Sequence, residues 1–169
     1  VLAGPDVVAL RAGLPSWSPL PERRVAVMLG GGRVEPRLRT ALAEVARRLP
    51  EMRFCGVGRW IPRSWTLIGS QDPWPELARC SLLICGSGTS GWEASAVGVP
   101  VVIMRVAKNQ DLVFDRLRTR GAPGVDALGT RSVDGIASAV LAALPKAVPL
   151  PPLTDGSERV ACKLRDLAL

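Results

Sequence analysis

Apolar residues along this chain come in short runs, each closed by a turn signal and followed by helical spacing. The clearest runs are Arg24-Val-Ala-Val-Met-Leu, Arg53-Phe-Cys-Gly-Val, Trp65-Thr-Leu-Ile, Leu82-Leu-Ile-Cys and Val101-Val-Ile-Met, with a shorter one over 124–128. None alternates with polar residues. Continuous apolar runs of this length read as strands buried on both faces.

Helical patterns fill the gaps, except between the second and third runs, where a Trp/Pro-rich connection stands. Pro36 suits a first helical turn, and Leu38, Leu42, Val45 and Leu49 then recur on one face until Pro50 ends the pattern. A short helix is expected over 73–79. Another opens near Ser90 and runs to Val97, where Gly98 and Pro100 punctuate it. Residues 109–120 carry Leu112, Val113 and Leu117 at helical spacing. Ser132 is a good N-cap for a helix with Val133, Ile136, Val140 and Leu144. Residues 145–152 form a proline-rich crossover, and 157–167 a terminal helix.

Strands alternating with helices give a parallel sheet of about six strands with helices on both faces. The expected fold is α/β, doubly wound and Rossmann-like, over residues 24–169. Residues 1–23, with Pro5, Pro15, Pro19 and Pro21, read as an interdomain segment.

Ligands of such sheets bind beyond the carboxyl ends of the strands. Three loops there carry chemistry: 30–35, 86–91 and 105–110. The most informative stretch is Leu82-Leu-Ile-Cys-Gly-Ser-Gly-Thr-Ser-Gly-Trp-Glu93. A Gly/Ser/Thr loop between a buried strand and a helix is an anion site, because first-turn N–H groups are unpaired and the helix dipole favours negative charge. Glu93 reads in two ways. It closes a capping box with Ser90, or it accepts both hydroxyls of a ribose. Asn109 is an N-cap, or with Gln110 it reads sugar hydroxyls, with Arg105 and Lys108 beside them to neutralise a diphosphate. Asp72-Pro-Trp-Pro-Glu-Leu is a capped short helix with Trp74 packed, and the residues before it offer a backbone ledge for a nucleobase.

Charge and composition trim the alternatives. Net charge is +7, from 22 Lys and Arg against 15 Asp and Glu. That suits an anionic small ligand, an anionic membrane surface or nucleic acid. Tyr is absent and Phe occurs twice, so there is no stacking platform for bases, and no nucleic-acid partner is expected. Peripheral membrane association stays open. The four cysteines lack metal-site spacing and there is no His, so no metal is expected. Neither G-x-G-x-x-G nor G-x-x-x-x-G-K-[ST] occurs, and no cofactor is called for. No run approaches the ~20 apolar residues of a membrane span. The first ten residues lack a signal-peptide pattern, and a start at Val1 reads as a fragment or processed product. Reduced thiols and a cytoplasmic location are the expectation.

Taken together, the stretch from Asp72 to Glu93, then Ala96-Val-Gly-Val-Pro-Val-Val and Asn109-Gln110, resembles the C-terminal half of GT-B-fold nucleotide-sugar enzymes. The nearest likeness is to the UDP-deoxysugar hydrolase of pseudaminic acid synthesis and the spore-coat polysaccharide glycosyltransferases. A more distant one is to the N-acetylglucosaminyltransferase that completes the lipid-linked peptidoglycan precursor. Gly4-Pro-Asp, Leu10-Arg11 and Asp155-Gly-Ser-Glu-Arg-Val extend the likeness to both ends. The resemblance implies that Ser87, Gly88, Thr89 and Ser90 hold the diphosphate of a UDP- or dTDP-sugar, with Gly31 and Gly32 lining the cleft. It implies Glu93 on the ribose, Ile68, Gly69 and Ser70 along the base, and Asn109 and Gln110 on the sugar.

Where that family often has Gly-Gly-Ser/Thr-Asp-Pro, this chain has Gly31-Gly-Arg-Val-Glu-Pro36. The family's catalytic base, commonly a His, lies in its N-terminal half, so no catalytic residue is assigned here. The implied function is donor binding in a glycosyltransferase whose N-terminal half, or a separate subunit, activates the acceptor. The isolated chain would be inactive. A UDP-sugar hydrolase and a non-catalytic nucleotide-binding module are the alternatives.

Overall fold

The computed structural model describes residues 8, 10–30, 34–69, 71–153, 156–158, 161, 162 and 165. Its centre is a sheet of six parallel strands: β1 (Arg24–Met28), β2 (Arg53–Val57), β3 (Thr66–Ile68), β4 (Leu82–Gly86), β5 (Val101–Arg105) and β6 (Gly124–Asp126). Their order is β3-β2-β1-β4-β5-β6. The chain therefore builds outward from β1 to one edge, returns to β4 at the centre, and builds to the other edge. The doubly wound expectation holds.

Helices α1 (Pro36–Arg48) and α5 (Val133–Ala143) cover one face, and α2 (Trp74–Leu77), α3 (Thr89–Val97) and α4 (Asp111–Thr119) the other. Alternate residues of each strand divide between the two cores. Val25, Val27 and Ile84 face α1 and α5, whereas Ala26, Leu83 and Cys85 face α3 and α4. Each of these side chains is at most 1% exposed or fully enclosed, and burying a Val, Leu or Ile contributes about 1.5–3 kcal/mol. That explains why the runs show no alternation.

Boundaries shift where local chemistry decides. The 109–120 pattern opens as a 3-10 turn, Lys108–Gln110, and becomes α-helical only at Asp111. The sixth strand stops at Asp126, because its carboxylate turns back to accept from Gly129 N–H at 2.8 Å. Gly98 ends α3 in the left-handed region at φ 82°, where a side chain would be strained. Ser132 caps α5 as expected, its hydroxyl accepting from Gly135 N–H. Asp72 does not cap α2. Its carboxylate pairs with Arg11 at 3.0 Å. Within 157–167, residues 157, 158, 161, 162 and 165 are helical, and the others lie outside the described residues.

The described part of the N-terminal segment packs on the domain. Trp17 N–H donates to Val97 O and its indole N–H to Cys80 O, while Ser18 and Leu20 donate to Ala78 and Arg79. Leu10, Leu14 and Trp17 lie against the α3-side core.

One crossover has no helix. Residues 58–65 pass from β2 to β3 as an irregular strap, with Ile61 laid directly on Gly56. A Cβ at position 56 would stand 2.3 Å from Ile61 Cδ1 and 3.0 Å from Val27 O. Gly56→Ala should cost about 1–3 kcal/mol by lifting the strap off β2. Urea unfolding of the two proteins checks this, with Gly56→Ala/Ile61→Ala expected to recover part of the loss.

Candidate functional site

The sheet reverses direction between β1 and β4, which pair from Val25↔Leu82 to Met28↔Cys85. Loops leaving two such strands part to opposite faces and open a crevice between them. One wall is the loop from Gly86 into α3.

That loop is held from below. Ser87 is fully buried; its N–H donates to Met104 O at 2.9 Å and its hydroxyl to the same carbonyl at 3.0 Å. Gly88 N–H donates to Gly86 O. The Ser87 hydroxyl therefore faces the sheet rather than the crevice. The next two N–H groups, of Thr89 and Ser90, have no acceptor among the described residues, and both residues reach solvent. They open a nine-residue helix capped by Gly88 without any side-chain contribution. Unpaired N–H groups and the positive end of the helix dipole meet at this point.

Glu93 does not form the capping box with Ser90. Its carboxylate neighbours the indole of Trp74, a residue only 2% exposed, and feels the charge of Arg11. Burial is the largest influence and raises the Glu93 pKa above the ordinary 4.5; the Trp74 indole and Arg11 oppose it. Ile68 is buried at the end of β3 and Gly69 is exposed beyond it. Ser70 lies outside the described residues. So do Gly31 and Gly32, and with them Arg33.

Asn109 and Gln110 fall at a helix start, but neither side chain caps it. Gln110 Oε1 accepts from Val106 N–H at 2.9 Å and lies 3.4 Å from Ser87 Oγ. Its amide nitrogen stands over Gly86, 3.5 Å from where a Cβ would be. One amide thus latches two loops and keeps its donors for another partner. Asn109 is exposed. It shares with Gln110, Gly30 and Glu35 a cleft of about 360 Å³ walled by Leu29, Val34 and Leu38.

Arg105 is not free for a diphosphate. It chelates Asp126 at 3.0 and 2.6 Å and reaches Asp111 at 2.9 Å. These carboxylates raise its pKa further, and Arg105 in turn lowers that of Asp126. Lys108 remains exposed at the rim.

Two contacts escaped the sequence reading: Trp74 with Glu93, and Ser87 with Gln110. Each pair is about 20 residues apart in sequence and meets only through the strand order, so no local spacing announces it. Cys85 offers no nucleophile, since full burial pushes its thiol up to about 12. Among the described residues no His/Cys/Asp/Glu group suited to a metal ion occurs, and no helix is long and apolar enough to cross a membrane.

A raised carboxyl pKa stabilises the fold at low pH relative to high pH. That contribution is complete below the unfolded value near 4.5 and is lost as pH rises through the folded value. Glu93→Gln should therefore gain stability on wild type as pH climbs from 4.5 toward neutrality. Urea midpoints of both proteins across that range check it. A constant difference would mean that Glu93 is not desolvated.

No family model matches the chain, and a search of curated proteins finds no match. Solved structures do match. The glycotransferase of kitacinnamycin aligns at TM-score 0.55 and 22% identity, over 79% of this chain and 38% of that one. The UDP-GlcNAc 2-epimerase from Neisseria meningitidis, bound to UDP-GlcNAc, aligns at TM-score 0.59 and 12% identity, over 86% and 45%. Os79 from O. sativa, in complex with UDP, gives 0.51 and 15%, over 76% and 33%. The chain spans less than half the length of each. At these identities the likeness is one of fold: a six-stranded, Rossmann-like α/β domain of the GT-B type.

Proposed function

We propose that this chain binds the nucleoside diphosphate of a nucleotide-sugar donor, as the C-terminal half of a GT-B glycosyltransferase. The observation that carries the reading is the pair of unpaired N–H groups, of Thr89 and Ser90, at the switch point of the sheet, with Glu93 one helical turn further on. Diphosphate oxygens need donors that are already oriented, and a leaving diphosphate gains charge as the sugar departs. The two N–H groups, the helix dipole and the Thr89 and Ser90 hydroxyls supply this without a metal. Ser87 and Gly88 contribute by holding the loop in shape; for Gly31 and Gly32, outside the described residues, the sequence resemblance alone implies a role beside the diphosphate.

Glu93 takes the ribose in this reading. The Trp74 indole and the charge of Arg11 both favour its ionised form, the one that accepts ribose hydroxyls. Ile68, Gly69 and Ser70 then border the base. Asn109 and the free amide donors of Gln110 face the sugar from the other side, across the cleft they share with Glu35. The order base, ribose, diphosphate, sugar thus follows the carboxyl edge of the sheet from β3 to β5. Two of the matched structures were solved with UDP or UDP-GlcNAc, which supports a uridine nucleotide as the first ligand to try.

Acceptor activation belongs to an N-terminal half on the same chain or a separate subunit. Within this reading the sequence resemblance is to the pseudaminic-pathway hydrolase and spore-coat transferase families. Four free cysteines accord with a cytoplasmic location.

Calorimetry of the chain with UDP and dTDP tests the proposal. Binding at millimolar concentration or tighter is expected, and no binding there rejects it. Glu93→Ala should weaken UDP roughly tenfold to a hundredfold through two lost charge-assisted hydrogen bonds, with the circular dichroism unchanged. Wild-type affinity in that variant rejects the ribose role.

A further inference from the structure

The helix-free crossover leaves one corner of the molecule unlike the rest. Where a helix would lie beside α1, the strap 58–65 leaves a groove of about 520 Å³, lined by Ala46, Pro50 and Met52 on one side and Pro62 and Trp65 on the other. Phe54, Trp60 and Trp65 cluster there, with ring centroids 5.0 Å apart for Phe54–Trp65 and 6.3 Å for Trp60–Trp65. Three of the chain's seven aromatic rings thus gather at one edge, and both Trp residues are only half-buried. Next to them Leu67 is 65% exposed on β3, the edge strand.

The same corner is basic. Arg47 and Arg53 line the groove with side chains 72% and 79% exposed. Arg23 adjoins through its carbonyl, which accepts from Arg53 N–H. Arg48 follows Arg47, and Arg63 sits between two groove residues with no ion-pair partner among the described residues. Against these five arginines stand four carboxylates. Glu22 pairs with Arg53, Glu44 is bracketed by Arg47 and Arg48, Asp134 lies 3.9 Å from Arg48, and Glu51 is exposed. The two arginines hold the Glu44 pKa down to about 2, so the acid is spent internally.

Half-buried Trp rings, an exposed Leu and a surplus of arginine form the combination that sits at a lipid headgroup boundary. The rings occupy the interface, the apolar side chain enters the acyl region, and the guanidinium groups meet anionic headgroups. We propose that this corner docks the protein on an anionic lipid bilayer. The dock is separate from the crevice where the nucleotide is placed, at the far end of α1, so it stands or falls independently of that reading. A few arginines near such a surface attract it only modestly, so attachment is weak, reversible and salt-sensitive.

Co-sedimentation of the chain with vesicles of phosphatidylcholine, alone or mixed with phosphatidylglycerol, tests this without any nucleotide. Binding to the mixed vesicles only, released by high salt and accompanied by a blue shift of tryptophan emission, is expected. Arg63→Glu/Leu67→Glu should lower partitioning about tenfold or more. Both side chains are exposed, so the fold should survive, and Arg63→Glu alone provides the same readout if it does not. Arg131→Glu makes the same charge change at the other end of α1, about 18 Å away, beyond a Debye length, and should alter binding by about twofold at most. Equal binding to neutral vesicles, no binding, or an equal loss in Arg131→Glu would overturn the proposal. So would sedimentation showing a dimer that Leu67→Glu dissolves, which would assign the open β3 edge to a second copy of the chain.

Discussion

Strands β1 and β4 lie side by side in register, and the rest of the molecule is arranged around that pairing. Beyond Arg24 at the start of β1, both are enclosed on both faces, so their backbone groups must be satisfied within the sheet and their side chains there are apolar or glycine. Parallel strands cannot be joined by a tight turn. Each therefore needs a long return path, and the two paths leave on opposite faces: α1 over one, α3 over the other. The crevice between the departing loops is a by-product of this topology. What makes it specific is the residue type at its lip, where Gly86, Ser87 and Gly88 let the chain bend into a helix whose first N–H groups stay unpaired.

The fold was legible because burial on two faces writes itself as uninterrupted apolar runs, and because proline and glycine mark the returns. All six strands fall where such runs occur. Boundaries were less legible where a side chain competes with the backbone, as Asp126 does when it turns to Gly129. The candidate site was legible only as a set of residue types. Thr89, Ser90, Glu93, Asn109 and Gln110 could be named from spacing, but what each side chain touches depends on neighbours brought in by strand order. Arg105 is the instructive case. In sequence it stands free beside Lys108; in space β6 lies alongside β5 and delivers Asp126 to it. Glu93 is the converse. Its helical position suggested a local partner in Ser90, yet α2 packs a buried indole against it.

The strap between β2 and β3 shows how much one omitted helix changes. Every other return places a helix, however short, against the sheet. Here eight residues must both span the sheet and cover it, and Ile61, Trp60 and Trp65 do so with large side chains rather than with a regular element. Gly56 has to be bare for Ile61 to fit. The cover is thin, and it leaves aromatic surface and a strand edge in contact with solvent.

The inward grip on Ser87 has a bearing on timing. Two hydrogen bonds to Met104 O, and the Gln110 amide alongside, already hold the loop before any ligand arrives. The conformational entropy of that loop is surrendered when the sheet closes, during folding. An incoming anion would meet a finished template, and its encounter would be free of the ordering cost that a flexible phosphate loop imposes at the moment of binding.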